Sequence, residues 1–122
     1  MANLITYDAY DAALNVLVNA TGTYLHICST QPATYANVAT YTLGNKSAPS
    51  IGAPASRSPT GRKVTVAAIS SGGSVTTSGT AAYWALVDAT RLLATGTITS
   101  QSVTSGNTFT LTAFDIGIPD PA

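Results

Sequence analysis

The spacing of apolar and polar positions changes period once along this chain, close to Gly22. Before that point Tyr7, Tyr10, Leu14, Leu17 and Val18 recur at three- and four-residue intervals, which places them on one face of a helix. Thr6 stands where an N-cap belongs, and Asp8 and Asp11 fall in the first turn, beside the positive end of the helix dipole. Gly22 supplies a stop. Beyond it the period is two. In residues 24–29, Leu25 and Ile27 face one way and Tyr24, His26 and Cys28 the other.

Residues 30–61 carry Pro32, Pro49, Pro54 and Pro59 with several glycines, and read as a long proline-rich loop or arm. An irregular edge strand fits residues 47–53, since proline is confined to edges. The remainder is a β series, with runs at residues 63–69, 74–77, 81–88, 92–99 and 108–118. Gly/Ser/Asn clusters and the turn Asp88-Ala89-Thr90-Arg91 separate them. Val64, Val66 and Ala68 share a face, as do Ala82, Trp84 and Leu86, and Phe109, Leu111 and Ala113. These are the expected core. The closing Ile118-Pro119-Asp120-Pro121-Ala122 suits neither a central strand nor a helix, and reads as a frayed end or an arm on a neighbour. Without internal repeats, the expectation is a single domain, 1–122. Its class is mainly β: an antiparallel β-sandwich (jelly-roll or Ig-like) with one N-terminal α-helix within residues 1–22.

Composition sharpens this picture. Charged residues are 8% of the chain, against about 25% in an average soluble domain, and glutamate is absent. The chain has 20 Thr and 12 Ser, so hydroxyls replace charges as the groups that face water. Five basic and five acidic side chains cancel. That balance excludes a nucleic-acid binder held by bulk charge and a polybasic membrane-surface protein. One cysteine builds no disulfide framework. Met1 to Tyr10 lacks the basic and apolar regions of a secretory leader, and no apolar run approaches the ~20 residues of a membrane helix. The sequons at Asn19 and Asn45 then read as chance matches in a Thr/Ser-rich chain. Net charge near zero promotes association, so a homo-oligomer or an assembled partner is expected; the alternative is that hydroxyls alone keep the chain soluble.

Reactive groups are few. His26 and Cys28, two apart on one strand face, have the spacing of a base and a nucleophile, but no third group orients the imidazole, and a half-buried His beside a small apolar Cys describes them better. They supply two metal ligands where a site needs three or four. Asp88 and Asp115 fit turn or strand-end roles better than a hydrolytic pair. Gly72-Gly73 lacks the helix and Lys-Ser pair of a phosphate loop. Arg91 reads as a surface ion-pair partner. No catalytic, cofactor-binding or metal site is expected, and no enzyme. One asymmetry stands out: Lys46, Arg57, Arg62 and Lys63 lie in a single window that contains no aspartate. With Pro49, Pro54 and Pro59 they are the candidate partner contacts, docking on an acidic neighbour; the other reading is that turns carry the few available charges. Tyr24, Tyr35, Tyr41 and Tyr83 fit either core and rim or an aromatic platform.

The order of helix, then Tyr24-Leu25-His26-Ile27-Cys28-Ser29-Thr30-Gln31-Pro32, Trp84-Ala85-Leu86-Val87-Asp88, Leu92-Leu93-Ala94 and Val103-Thr104-Ser105-Gly106-Asn107-Thr108-Phe109 resembles small structural virion proteins of tailed bacteriophages and prophages. The resemblance implies a β-sandwich particle component assembled in the host bacterial cytoplasm, with the major capsid protein or other virion proteins as partners. It points first to a capsid decoration (cement) protein that stabilises the assembled head. Alternatives are a tail, neck or fibre component, or a carbohydrate-binding module at the host surface.

Overall fold

The N-terminal helix forms where the spacing predicts it: α1 spans Tyr7–Asn19 and buries Tyr10, Leu14 and Leu17, with Val18 half-buried. The computed structural model describes residues 7–57, 61–70 and 72–118. Thr6, the Tyr7 side chain, Pro59, Ser71 and residues 119–122, with the arm expected there, lie outside the described residues. Two compact units make up the chain, each assembled from segments distant in sequence. One gathers Met1–Ala20, Ser50–Ala68 and Thr112–Ala122, the other Thr21–Pro49 and Ile69–Leu111. The chain is mainly β, with two antiparallel sheets and an N-terminal helix, the composition expected of its class.

The first unit holds α1 and a three-stranded sheet in the order β3-β4-β8, where β3 is Ala55–Ser56, β4 Arg62–Val66 and β8 Phe114–Ile118. Val64 and Val66 are fully buried, and α1 packs against β4. The edge strand expected at residues 47–53 is reduced to a bridge from Ile51 to Val66, flanked by hydrogen bonds from Gly52 N–H to Thr65 O and from Ala67 N–H to Ser50 O.

The second unit is a five-stranded sheet in the order β5-β2-β1-β6-β7: Ser74–Val75, Thr42–Ser47, Tyr24–Cys28, Gly79–Val87 and Leu92–Val103. The central pair, β1 with β6, sets Leu25 against Leu86 and Ile27 against Trp84, and Leu25, Ile27 and Leu86 are fully buried. A short helix, α2 (Tyr35–Tyr41), rests on β1 and buries Val38 against Cys28, Ala85 and Val87.

Several expectations need correction. Residues 30–61 are not one loop, because they contain α2 and the interior strand β2. Thr34 caps α2, its hydroxyl accepting from Asn37 N–H at 3.2 Å. Pro49 is buried and Pro54 half-buried, so neither belongs to a free arm. Strand β4 stops at Val66 and leaves Ala68 exposed. The run at 108–118 breaks into bridges at Thr108 and Leu111 before β8, so Phe109 is buried, Leu111 half-buried and Ala113 exposed. Ala82 is half-buried because the β6–β7 register shifts between Ala81 and Tyr83.

Two glycines are fixed by close approach. A Cβ on Gly44 would meet the Ser74 carbonyl of β5. On Gly96 of β7 it would lie 2.7 Å from Trp84 Nε1, because the indole packs flat across that position. Gly96→Ala therefore forces Trp84 aside and should cost about 1–3 kcal/mol, against about 3–5 for Trp84→Ala. Urea unfolding followed by tryptophan emission checks this; an unchanged midpoint and emission maximum for Gly96→Ala would contradict the packing.

Candidate functional site

The four basic residues of the expected docking loop are divided between the two units. Lys46 lies on β2, its ammonium beside Gly72. Arg57, Arg62 and Lys63 belong to the other unit, where two of them meet aspartates from distant sequence. Arg62 donates from Nε to Asp11 Oδ1 at 2.9 Å and from Nη2 to Asp11 Oδ2 at 3.3 Å. The same guanidinium reaches Ser56 Oγ and the Pro54 carbonyl. Asp11 thus serves as the guanidinium's forked partner, rather than only as a helix-dipole charge. Lys63 Nζ donates to Asp115 Oδ2 at 3.0 Å, and Thr65 Oγ1 to Asp115 Oδ1 at 2.7 Å. Asp115, the second residue of β8, takes the strand-end role and not the turn role of the two expected for it; the Thr65 hydroxyl, then Lys63, holds its carboxyl below the usual carboxylate range. Arg57 lies across Gly117 and, with Lys63, Asp115 and Gly117, lines an open cleft of about 450 Å³. Lys46 thus belongs to one unit and Arg57, Arg62 and Lys63 to the other, and Arg62 and Lys63 have carboxylate partners among the described residues.

Asp88 closes the turn between β6 and β7. Its Oδ1 accepts from Thr90 N–H at 2.8 Å and Arg91 N–H at 2.7 Å, and its Oδ2 from Arg91 Nε at 2.8 Å. These are the turn and ion-pair roles expected of Asp88 and Arg91.

His26 and Cys28 share a face of β1, as the alternation requires. Thr42 Oγ1 lies 2.8 Å from His26 Nδ1 and 3.1 Å from the Gly44 carbonyl, so the hydroxyl anchors the ring to β2. Burial lowers the His26 pKa and pushes the Cys28 thiol up to about 11. A thiolate–imidazolium nucleophile needs the opposite shift at the cysteine. Cys28 is fully buried beneath α2 and acts as a small apolar core residue.

The tyrosines separate into two pairs. Tyr41 and Tyr83 pack on the cluster of Cys28, Val38, Ala85 and Val87. Tyr24 and Tyr35 are 42% and 44% exposed, among the largest exposed apolar groups. Tyr24 sits beside His26 with ring centroids 6.2 Å apart, and Tyr35 is tethered by its hydroxyl to the Ala89 carbonyl at 3.1 Å. His26, Tyr35, Val38, Ala39 and Val87 line a small cleft of about 100 Å³. This shelf joins a half-buried imidazole to exposed aromatic rings. The two-residue period put Tyr24 and His26 on one face, but nothing local in sequence signalled that α2 would bring Tyr35 beside them.

Among the described residues, no three His, Cys or Asp side chains cluster as metal ligands, and no helix is long and apolar enough to cross a membrane. Compared with protein families, curated proteins and solved structures, the chain matches none.

The Asp88 turn yields a signed pH prediction. Its carboxyl is held below its ordinary value first by Thr90 N–H, then by the Arg91 side chain and N–H. A depressed folded value means the contribution is present above about pH 4 and is lost as pH falls through the lower folded value. Thermal melts from pH 7 to 2 should therefore show Asp88→Asn less stable at neutrality, with the gap to wild type closing in acid. A gap that stays constant with pH would assign the effect to geometry instead of charge.

Proposed function

We propose that the protein is a non-enzymatic structural component of a tailed-bacteriophage virion, and specifically a capsid decoration protein that binds the assembled head and bridges its subunits. The observation that carries this reading is the use of the chain's scarce charges. Asp11, Asp88 and Asp115 are each held by a basic side chain of the same molecule, which leaves a hydroxyl-rich surface of zero net charge. Such a surface suits close, permanent packing on a neighbour better than free diffusion at high concentration. The residues that carry the resemblance support the same reading. Tyr24-Leu25-His26-Ile27-Cys28 is β1, Trp84-Ala85-Leu86-Val87 ends β6 and Leu92-Leu93-Ala94 opens β7, so these stretches fall on three adjacent strands of one sheet.

The mechanism is linkage. A protein that binds only the assembled lattice stabilises it by about 2.7 kcal/mol per site at a hundredfold excess over Kd, and repetition over a shell multiplies modest contacts. Quantitative mass spectrometry of purified particles tests the assignment. A copy number comparable with the major shell protein is expected; a few to a few dozen copies would move the chain to the tail or neck, and absence from particles would overturn the reading.

A second reading, a carbohydrate-binding module at the host surface, is favoured by the shelf of Tyr24, His26 and Tyr35. Exposed rings stack on sugar faces, and an imidazole nitrogen exchanges a hydrogen bond with a sugar hydroxyl. On this reading a glycan array gives a neutral-sugar hit that Tyr24→Ala abolishes, whereas an array without binders removes it.

A further inference from the structure

Three of the four sheet edges are guarded against strand addition by short length, charge or proline, and one is not. Edge strands β3 and β5 are two residues long, and Pro54 precedes β3. The third edge, β8, carries Asp115 paired to Lys63, with Arg57 lying over Gly117. Short length, charge and proline are the devices that stop an edge from pairing with another chain. The fourth edge, β7, has none of them. It runs twelve residues, LLATGTITSQSV, without a charged side chain or a proline. Among the described residues its backbone ladder runs to β6 alone, and Thr97, Thr99, Ser100 and Ser102 are exposed. Over Leu92–Thr97 it stays in step with β6 apart from one shift at its start, and the main break in register follows Thr97. The chain therefore presents a row of outward N–H and C=O groups flanked by threonines.

We propose that the outer edge of β7 is where a second copy of this chain pairs, antiparallel and about a two-fold axis, so that two five-stranded sheets become one continuous sheet. Charge argues for a copy of itself as the occupant. An isologous axis sets a strand against its own sequence, so any charge near the axis meets its like. Strand β7 has no charge to meet, and the whole chain is neutral, so copies approach without long-range repulsion. A charged partner would find no counter-charge on this strand. Threonines at 95, 97 and 99 supply β-branched, hydroxyl-bearing positions that tolerate one another across a ladder. The Thr95 hydroxyl is already donated inward to the Trp84 carbonyl at 2.7 Å, which leaves Thr97 and Thr99 as the outward pair.

The full chain is tested by sedimentation equilibrium over a range of concentrations, with Thr97→Lys/Thr99→Lys, Thr97→Glu/Thr99→Glu and their equimolar mixture. Wild type should form a dimer. Each charged variant should dimerise at least about tenfold more weakly, since like charges then face across the axis. The mixture should recover a mixed dimer, which a variant that merely misfolds cannot do. Amide hydrogen exchange at low and high concentration gives an independent readout, with protection gained in β7 as the dimer fills. A wild type monomeric throughout, a Lys variant that dimerises as tightly as wild type, or a mixture that stays monomeric would each overturn the proposal. Failure here leaves the virion assignment standing, because copy number per particle is read separately.

Discussion

The antiparallel pairing of β1 with β6 is the constraint on which the larger unit rests. Both strands have neighbours on both sides, β2 beyond β1 and β7 beyond β6, and the two pair with each other from Tyr24 to Cys28 and from Tyr83 to Val87. Leu25, Ile27 and Leu86 lose all contact with water, and burial of each such side chain contributes about 1.5–3 kcal/mol. The register also decides what the surfaces carry. Placing Leu25 and Ile27 on one face forces Tyr24, His26 and Cys28 onto the other, where α2 covers Cys28 and leaves Tyr24 exposed and His26 half-buried. Setting Trp84 opposite Gly96 lets the indole lie on β7's backbone.

Charge is the second constraint, through its scarcity. In a chain with five acidic residues, ion pairs among the described residues take Asp11, Asp88 and Asp115. Each fastens a particular joint: α1 to β4, the β6–β7 turn, and β4 to β8. Exposed pairs of this kind contribute little in isolation, so their value here is geometric specificity more than stability. Hydroxyl, aromatic and backbone groups supply the chemistry of the Tyr24–His26–Tyr35 shelf and of the β7 edge.

The sequence made α1 legible because Tyr10, Leu14 and Leu17 repeat with a helix's own period, and β1 because five residues alternate cleanly. The turn at Asp88 was legible from its local chemistry, and Trp84 as core from its place in an apolar run. Helix α2 was hidden because only Val38 of its seven residues is buried, so no period arises. Strand β2 was hidden because Gly44 and Asn45 interrupt its alternation, Gly44 being required where β5's backbone approaches. The fate of the basic residues was hidden for another reason. Arg62 and Asp11 lie 51 positions apart and Lys63 and Asp115 lie 52 apart, so a window that looked purely basic is partly neutralised only after folding.

The central proposal is that this molecule packs on its partners through hydroxyl-rich surface, with Asp11, Asp88 and Asp115 each paired to a basic side chain within the fold. Salt dependence of its retention on purified particles tests that most directly. From roughly 0.05 to 0.5 M salt, where screening of exposed charges grows strongly, the account predicts nearly constant binding. A fall of about tenfold or more over that range would mean that Lys46, Arg57 and their neighbours hold an acidic partner, and would contradict it.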